Sequence, residues 1–152
     1  MKKFSFSLEK VLEVKEIEEK VIQKNLLLLQ HEIFEIEKKI TLIAEKISEV
    51  KAKVCSLSMK QINTVEIMLH YKYIESLTNE TEIHKNTINN LRISEQKIKI
   101  QLIEKSKERK ALERLKEIKY EEFRKEYNKE QQLFLDDISI QNHRLKQGMY
   151  KS

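Results

Sequence analysis

Proline is absent from this 152-residue chain, glycine occurs once, at Gly148, and there is no tryptophan. A domain built of many short elements needs glycine and proline at its turns, so their scarcity leaves few breaks and therefore few, long elements. One glycine also excludes a glycine-rich phosphate loop. The single cysteine, Cys55, excludes an intramolecular disulfide and fits a reducing compartment. Long hydrophobic runs are missing as well. The longest, Leu26 to Leu29, is far below the ~18 residues that a membrane-spanning helix requires. No run of ~7–15 apolar residues follows Lys2 and Lys3, so no secretory signal is expected. The reading is a soluble, cytoplasmic protein.

What is present is charge and periodicity. Charged residues make up 36% of the chain, and 30 basic against 25 acidic side chains leave a net charge of +5. Both signs are interleaved throughout, which describes a salt-bridge-laced surface with a mild basic bias. Aromatics are 7%, and apolar residues lie thinly among Lys and Glu, as a narrow seam demands.

That seam is explicit from residue 22 onward. Ile22, Leu26, Leu29, Ile33, Ile36, Ile40, Ile43, Ile47, Val50, Val54 and Leu57 follow at alternating spacings of four and three, the heptad pattern of a coiled coil. Glu and Lys pairs at i,i+4, such as Glu16 with Lys20 and Glu35 with Lys39, add about 0.2–0.5 kcal/mol each. A buried Ile or Leu is worth roughly 1.5–3 kcal/mol, so the stripe dominates and the helix requires a partner. The register falters over Cys55 to Thr64, the best turn candidate. A second seam follows at Ile74, Leu77, Thr81, His84, Ile88, Leu91, Ile98 and Leu102, with polar intrusions at Thr81, His84 and Glu95. Residues 104–110 carry no apolar side chain. The stripe is then expected to return in a shifted phase at Ala111, Leu115 and Ile118, disturbing the supercoil.

The expected fold is all-α: two long helices forming an antiparallel coiled-coil hairpin, the second longer than the first. Helix one runs over about 7–57, the turn over about 58–64 and helix two over about 65–145. A flexible tail follows, and the whole is a single elongated domain. A short turn places Ile22 opposite roughly position 100 and exhausts helix one near position 115. About 30 residues of helix two, roughly 45 Å at 1.5 Å per residue, then project without an intramolecular partner, and an unpaired helix is marginal in water.

Catalytic and binding patterns along the same chain are sparse. His31-Glu32-Ile33-Phe34-Glu35 resembles the start of a zinc-protease helix, but Glu35 stands where a second histidine ligand is needed. His31, His70, His84 and His143 are far apart, and antiparallel pairing brings none beside Cys55. No catalytic residues, no metal ligands and no cofactor are expected. Asn79-Glu80-Thr81 fits the glycosylation pattern, which carries no meaning in the cytosol. Lys105, Lys107, Arg109, Lys110 and Arg114, followed by Tyr120, Phe123 and Tyr127, mix base and ring as a nucleic-acid arm would. Interleaved Glu104, Glu108, Glu113, Glu117, Glu121 and Glu122 cancel much of that field, so no nucleic acid is expected. Leu27 and Leu28 widen the apolar face beyond the seam, as a third helix or a self-associating bundle would require.

The N-terminus reads Phe4-Ser5-Phe6-Ser7-Leu8-Glu9-Lys10-Val11-Leu12. Its alternation suits a strand, but no second strand exists to pair with it. A helix start accounts for it locally, with Ser7 as N-cap, Glu9 in the first turn and Phe6 stapled over Val11. Phe4 is left unused. This aromatic-x-aromatic-x-Leu-Glu-x-Val-Leu start, with Glu16, Glu18 and Glu19 soon after, resembles the flagellar export protein FliJ family. Tyr71-Lys72-Tyr73-Ile74-Glu75-Ser76-Leu77 is similar to that family's second-helix start.

The resemblance implies a non-enzymatic, stalk-like component of the flagellar type III export apparatus. It would dock in the export ATPase ring, promote the ring's assembly and activity, and link it to the export gate membrane protein and to export chaperones. It would lie in the cytoplasm, meeting the inner membrane only through partners. By the same resemblance, Phe4, Phe6, Leu8 and Leu12 with the C-terminal overhang would meet the ATPase, and Tyr73, Leu77 and His84 the gate. The rival reading is a general coiled-coil adaptor or prefoldin-like holdase, gripping clients at residues 55–70.

Overall fold

A computed structural model describes residues 2–60 and 63–151. Among them lie two helices, α1 (Glu9–Ser58) and α2 (Thr64–Tyr150), and no strand. The chain enters α1 through a backbone turn: the Phe6 carbonyl accepts from Glu9 N–H at 3.1 Å and the Leu8 carbonyl from Leu12 N–H at 2.9 Å. This turn, rather than the Ser7 hydroxyl, begins the helix. At the far end Ser58 Oγ donates to the Cys55 carbonyl at 2.8 Å. Of the expected turn over 58–64, Gln61 and Ile62 lie outside the described residues. Asn63 caps α2, its Oδ1 accepting from Val65 N–H at 3.3 Å and its carbonyl from Glu66 N–H at 3.0 Å.

The chain divides into two units, Glu18–Glu104 and a second made of Met1–Ile17 with Lys105–Ser152. In the first, α1 and α2 pack antiparallel. Gln30 Nε2 donates to Glu95 Oε1 at 3.1 Å, and Arg92 reaches Glu37 at 2.8 Å, so partners recede along α2 as α1 advances. The seam supplies the contact: Ile33, Ile43, Val50, Val54, Leu77 and Ile88 are buried, and Ile22, Leu26, Leu29, Ile36, Ile40, Ile47 and Leu57 are half-buried. Polar intrusions in α2 find partners within α2 or, for Glu95, also across the seam. Thr81 donates to the Leu77 carbonyl at 2.9 Å, His84 Nε2 lies 3.6 Å from Glu80, and Glu95 takes both Gln30 and, at 3.0 Å, Lys99.

The second unit is held differently. Leu12 is buried and Leu112 half-buried, but their inward neighbours are polar: Glu9, Lys15 and Glu16 on α1, and Lys105, Ser106, Arg109, Glu113 and Lys116 on α2. Ion pairs cross between the helices, Lys116 with Glu9 at 2.7 Å and Lys15 with Glu108 at 2.9 Å, again antiparallel. The expected phase shift does not occur. Inward positions 105, 109, 112 and 116 keep the alternation of four and three, while Ala111, Leu115 and Ile118 face outward. Apolar content and inward orientation part company here, because charged side chains whose stems lie along the seam can fill it while their heads pair with one another.

Candidate partner-docking surface

The N-terminal segment runs along α2 in the second unit. Phe4, Phe6 and Leu8 are half-buried, whereas Ser5 and Ser7 are exposed. The alternation of an extended chain is therefore realised, but a helix face takes the place of a second strand. Lengths agree. Seven residues separate Lys2 from Glu9 and span about 23 Å when extended, at ~3.3 Å each. Fourteen separate Lys116 from Glu130 and span about 21 Å as helix, at ~1.5 Å each. At the two ends of this strap Glu9 pairs with Lys116 at 2.7 Å and Lys2 Nζ with Glu130 Oε1 at 2.8 Å. The second contact holds the Lys2 ammonium above the usual lysine range, chiefly through the hydrogen bond to Glu130.

Aromatic rings fasten the middle. Phe4 meets Tyr120 edge-on at 5.3 Å between centroids and Phe123 at 5.6 Å; Phe123 in turn stacks on Tyr127 at 6.1 Å. Phe4, left over by the local account of the helix start, anchors the segment to α2. Beside it, a shallow groove is lined by Phe4, Phe6, Phe123 and the charged Lys119, Glu122 and Glu126.

Beyond this contact no described residue buries α2. Residues 128–151 are all exposed, yet Leu133, Phe134, Leu135, Ile138, Ile140 and Leu145 stand between 38% and 69% exposed. The uncovered stretch begins later than position 115 because the strap continues the cover that α1 ends. Its apolar content is what a partner surface requires.

The seven residues expected to meet partners fall into different settings. Leu12 and Leu77 are buried between helices, at 4% and 5% exposure. A partner reaches them only by parting the pair. Phe4, Phe6, Leu8 and His84 are half-buried, and Tyr73 is exposed. The structure gathers Phe4, Phe6, Leu8 and Leu12 into one unit, with Tyr73, Leu77 and His84 in the other. Sequence reasoning used Val11 only in the helix-start staple and passed over Val14 and Ile17, although all three lie outward on α1, each more than 40% exposed. Their spacings of three were the available signal. Among the described residues no group of three or more His, Cys, Asp or Glu could hold a metal ion, and no helix is long and apolar enough to cross a membrane.

A family model described as Flagellar FliJ protein matches residues 4–148. No curated protein and no solved structure matches the chain. The matched span begins at Phe4, takes in both helices and their seam, and ends at Gly148 within the uncovered stretch. The chain belongs to the flagellar FliJ protein family.

Proposed function

We propose that this component of the flagellar export apparatus acts as a stalk. It docks in the export ATPase ring through the Phe4 strap and the uncovered end of α2, and promotes the ring's assembly and activity. Through the other unit it contacts the export gate and export chaperones, and so meets the inner membrane only by way of partners. It catalyses no reaction of its own. The observation that carries this reading is the uncovered apolar length of α2 at 128–151, placed next to the aromatic cluster of Phe4, Tyr120 and Phe123. Family membership supplies the setting.

The test is capture of the cognate export ATPase by the purified chain. Substituting Phe4 and Phe6 by Ser, or Phe134 and Leu145 by Ser, should abolish capture and any stimulation of ATP hydrolysis while helicity is retained. Undiminished capture by both variants refutes the docking assignment. For the gate, Tyr73→Ala should weaken binding, since Tyr73 is exposed at 47% and is not needed by the seam.

The holdase reading has its own supporting observation. Met59, Val65, Met68 and Leu69 are each at least 59% exposed near the junction of the helices. Under that reading, Met68→Ser with Leu69→Ser abolishes suppression of client aggregation and leaves ATPase capture intact.

A further inference from the structure

The uncovered end of α2 carries a pattern that specifies its occupant. Phe134, Ile138, Gln141, Leu145 and Gly148 follow at alternating spacings of four and three, so they share one helix face. Phe134, Ile138 and Leu145 are 60%, 38% and 69% exposed. Beside this face Glu130, Asp137, Arg144 and Lys151 recur every seven residues, two acids followed by two bases. Beyond Asp137 the helix contains no acid at all.

We propose that the occupant is the same segment of a second copy of this chain, laid antiparallel. In an antiparallel coiled coil each seam position faces its counterpart across the two-fold axis, and the flanking series on one helix meets the same series on the other in reverse order. Phe134 then packs over Leu145 of the second copy and Ile138 over its Gln141, each contact made twice. Gln131 faces Gly148 of the second copy, where a Cβ would meet nothing within 4 Å in the single chain; the missing side chain leaves room for the long amide. The reversed flank sets Asp137 against Arg144, and Glu130 against Lys151 just past the end of α2, so both pairs of this flank are opposite in sign. Parallel pairing would place Asp137 and Arg144 beside Asn142 and Met149 instead, with no opposite charge. Glu130 is already held by Lys2 at 2.8 Å, which makes Asp137 with Arg144 the decisive pair.

This pairing uses Phe134 and Leu145, as the proposed ring contact does, so it describes the chain outside the ring, and its test contains no ATPase. Sedimentation equilibrium of the full chain, kept reduced so that the exposed Cys55 cannot link copies, should show a reversible, concentration-dependent dimer. Ile138→Asp should abolish it. Asp137→Arg and Arg144→Asp should each weaken it by about tenfold or more, whereas an equimolar mixture of the two variants should recover wild-type affinity as a heterodimer. The residues altered are exposed, and circular dichroism of each variant checks that the helices persist. A chain that stays monomeric at every concentration overturns the proposal and leaves the face to a helix of another protein. A dimer indifferent to Ile138→Asp, or a mixture no tighter than its components, overturns it equally.

Discussion

Phe4 stands edge-on to Tyr120, with ring centroids 5.3 Å apart and planes inclined at 78°. The two rings belong to segments more than a hundred residues apart in sequence, so their contact reports directly on whether the N-terminal strap lies on α2. Edge-to-face geometry sets the positive rim of one ring against the negative face of the other.

A double-mutant cycle on Phe4→Ala and Tyr120→Ala isolates that contact. The expected coupling is about 0.5–1.5 kcal/mol, read from urea unfolding or from amide exchange over residues 116–130. Additive effects would mean that the strap is held by Lys2, Phe123 and the helix start alone.

The unbroken inward alternation in the second unit predicts different costs for neighbouring leucines. Leu112→Ser, at a half-buried inward position, should destabilise by about 1–3 kcal/mol. Leu115→Ser, at 36% exposure on the outward side, should change stability by less than about 0.5 kcal/mol. Thermal unfolding of the two variants decides between this orientation and a shifted stripe, which would reverse the order.

In the other unit, packing and binding should separate cleanly. Leu77 is 5% exposed and Tyr73 47%. Leu77→Ala should cost about 2–4 kcal/mol of stability, and Tyr73→Ala little. Weaker gate binding by Tyr73→Ala at unchanged melting temperature therefore belongs to recognition, whereas the same defect in Leu77→Ala reports only on the seam.

Two carboxylates make stability depend on acid. Glu95 is held below the usual carboxylate range first by the Gln30 hydrogen bond and then by Lys99; Glu108 is held down first by Lys15. A depressed folded-state value contributes stability above the unfolded value, and that contribution is lost as pH falls through the folded one. Melting temperature should therefore fall on acidification below about pH 4.3, the ordinary glutamate value, and Glu108→Gln should flatten the slope. Lys2 behaves oppositely. Its raised value contributes below the ordinary lysine range and is lost as pH rises past the folded value, so amide protection of the strap should decline at alkaline pH.

The first unit was legible because, Glu19 apart, its buried residues are all apolar and regularly spaced. From Ile22 to Leu57 the four-three spacing of Ile, Leu and Val gives the inward face outright, and Leu77 and Ile88 continue it on α2. Legibility ends where polar side chains take the seam. Lys105, Arg109, Glu113 and Lys116 lie inward while Leu115 and Ile118 lie outward, so hydrophobicity marks the wrong side of the helix. The charged stems fill the seam, and only the matching charges on α1, such as Glu9 and Lys15, reveal the pairing. The strap was obscured for another reason. Its period of two was visible in Phe4, Phe6 and Leu8, but a helix face, unlike a strand, leaves no complementary period in the sequence. Candidate surfaces for outside partners were legible only as the off-seam Leu27 and Leu28 and as the overhang of helix two; the exposed Phe134, Ile138 and Leu145 within it come from the structure.

Because the strap is extended where it crosses a helix, it works as a gear of about two to one. Each of its residues advances ~3.3 Å while each residue beneath it rises ~1.5 Å. Deleting Ser5 would draw the Lys2 anchor back by about two positions, from Glu130 towards Asn128, and a second deletion would double that retreat. Small length changes ahead of Glu9 thus reset, in steps of half a helical turn, how much of α2 the chain keeps for itself and how much it offers to others.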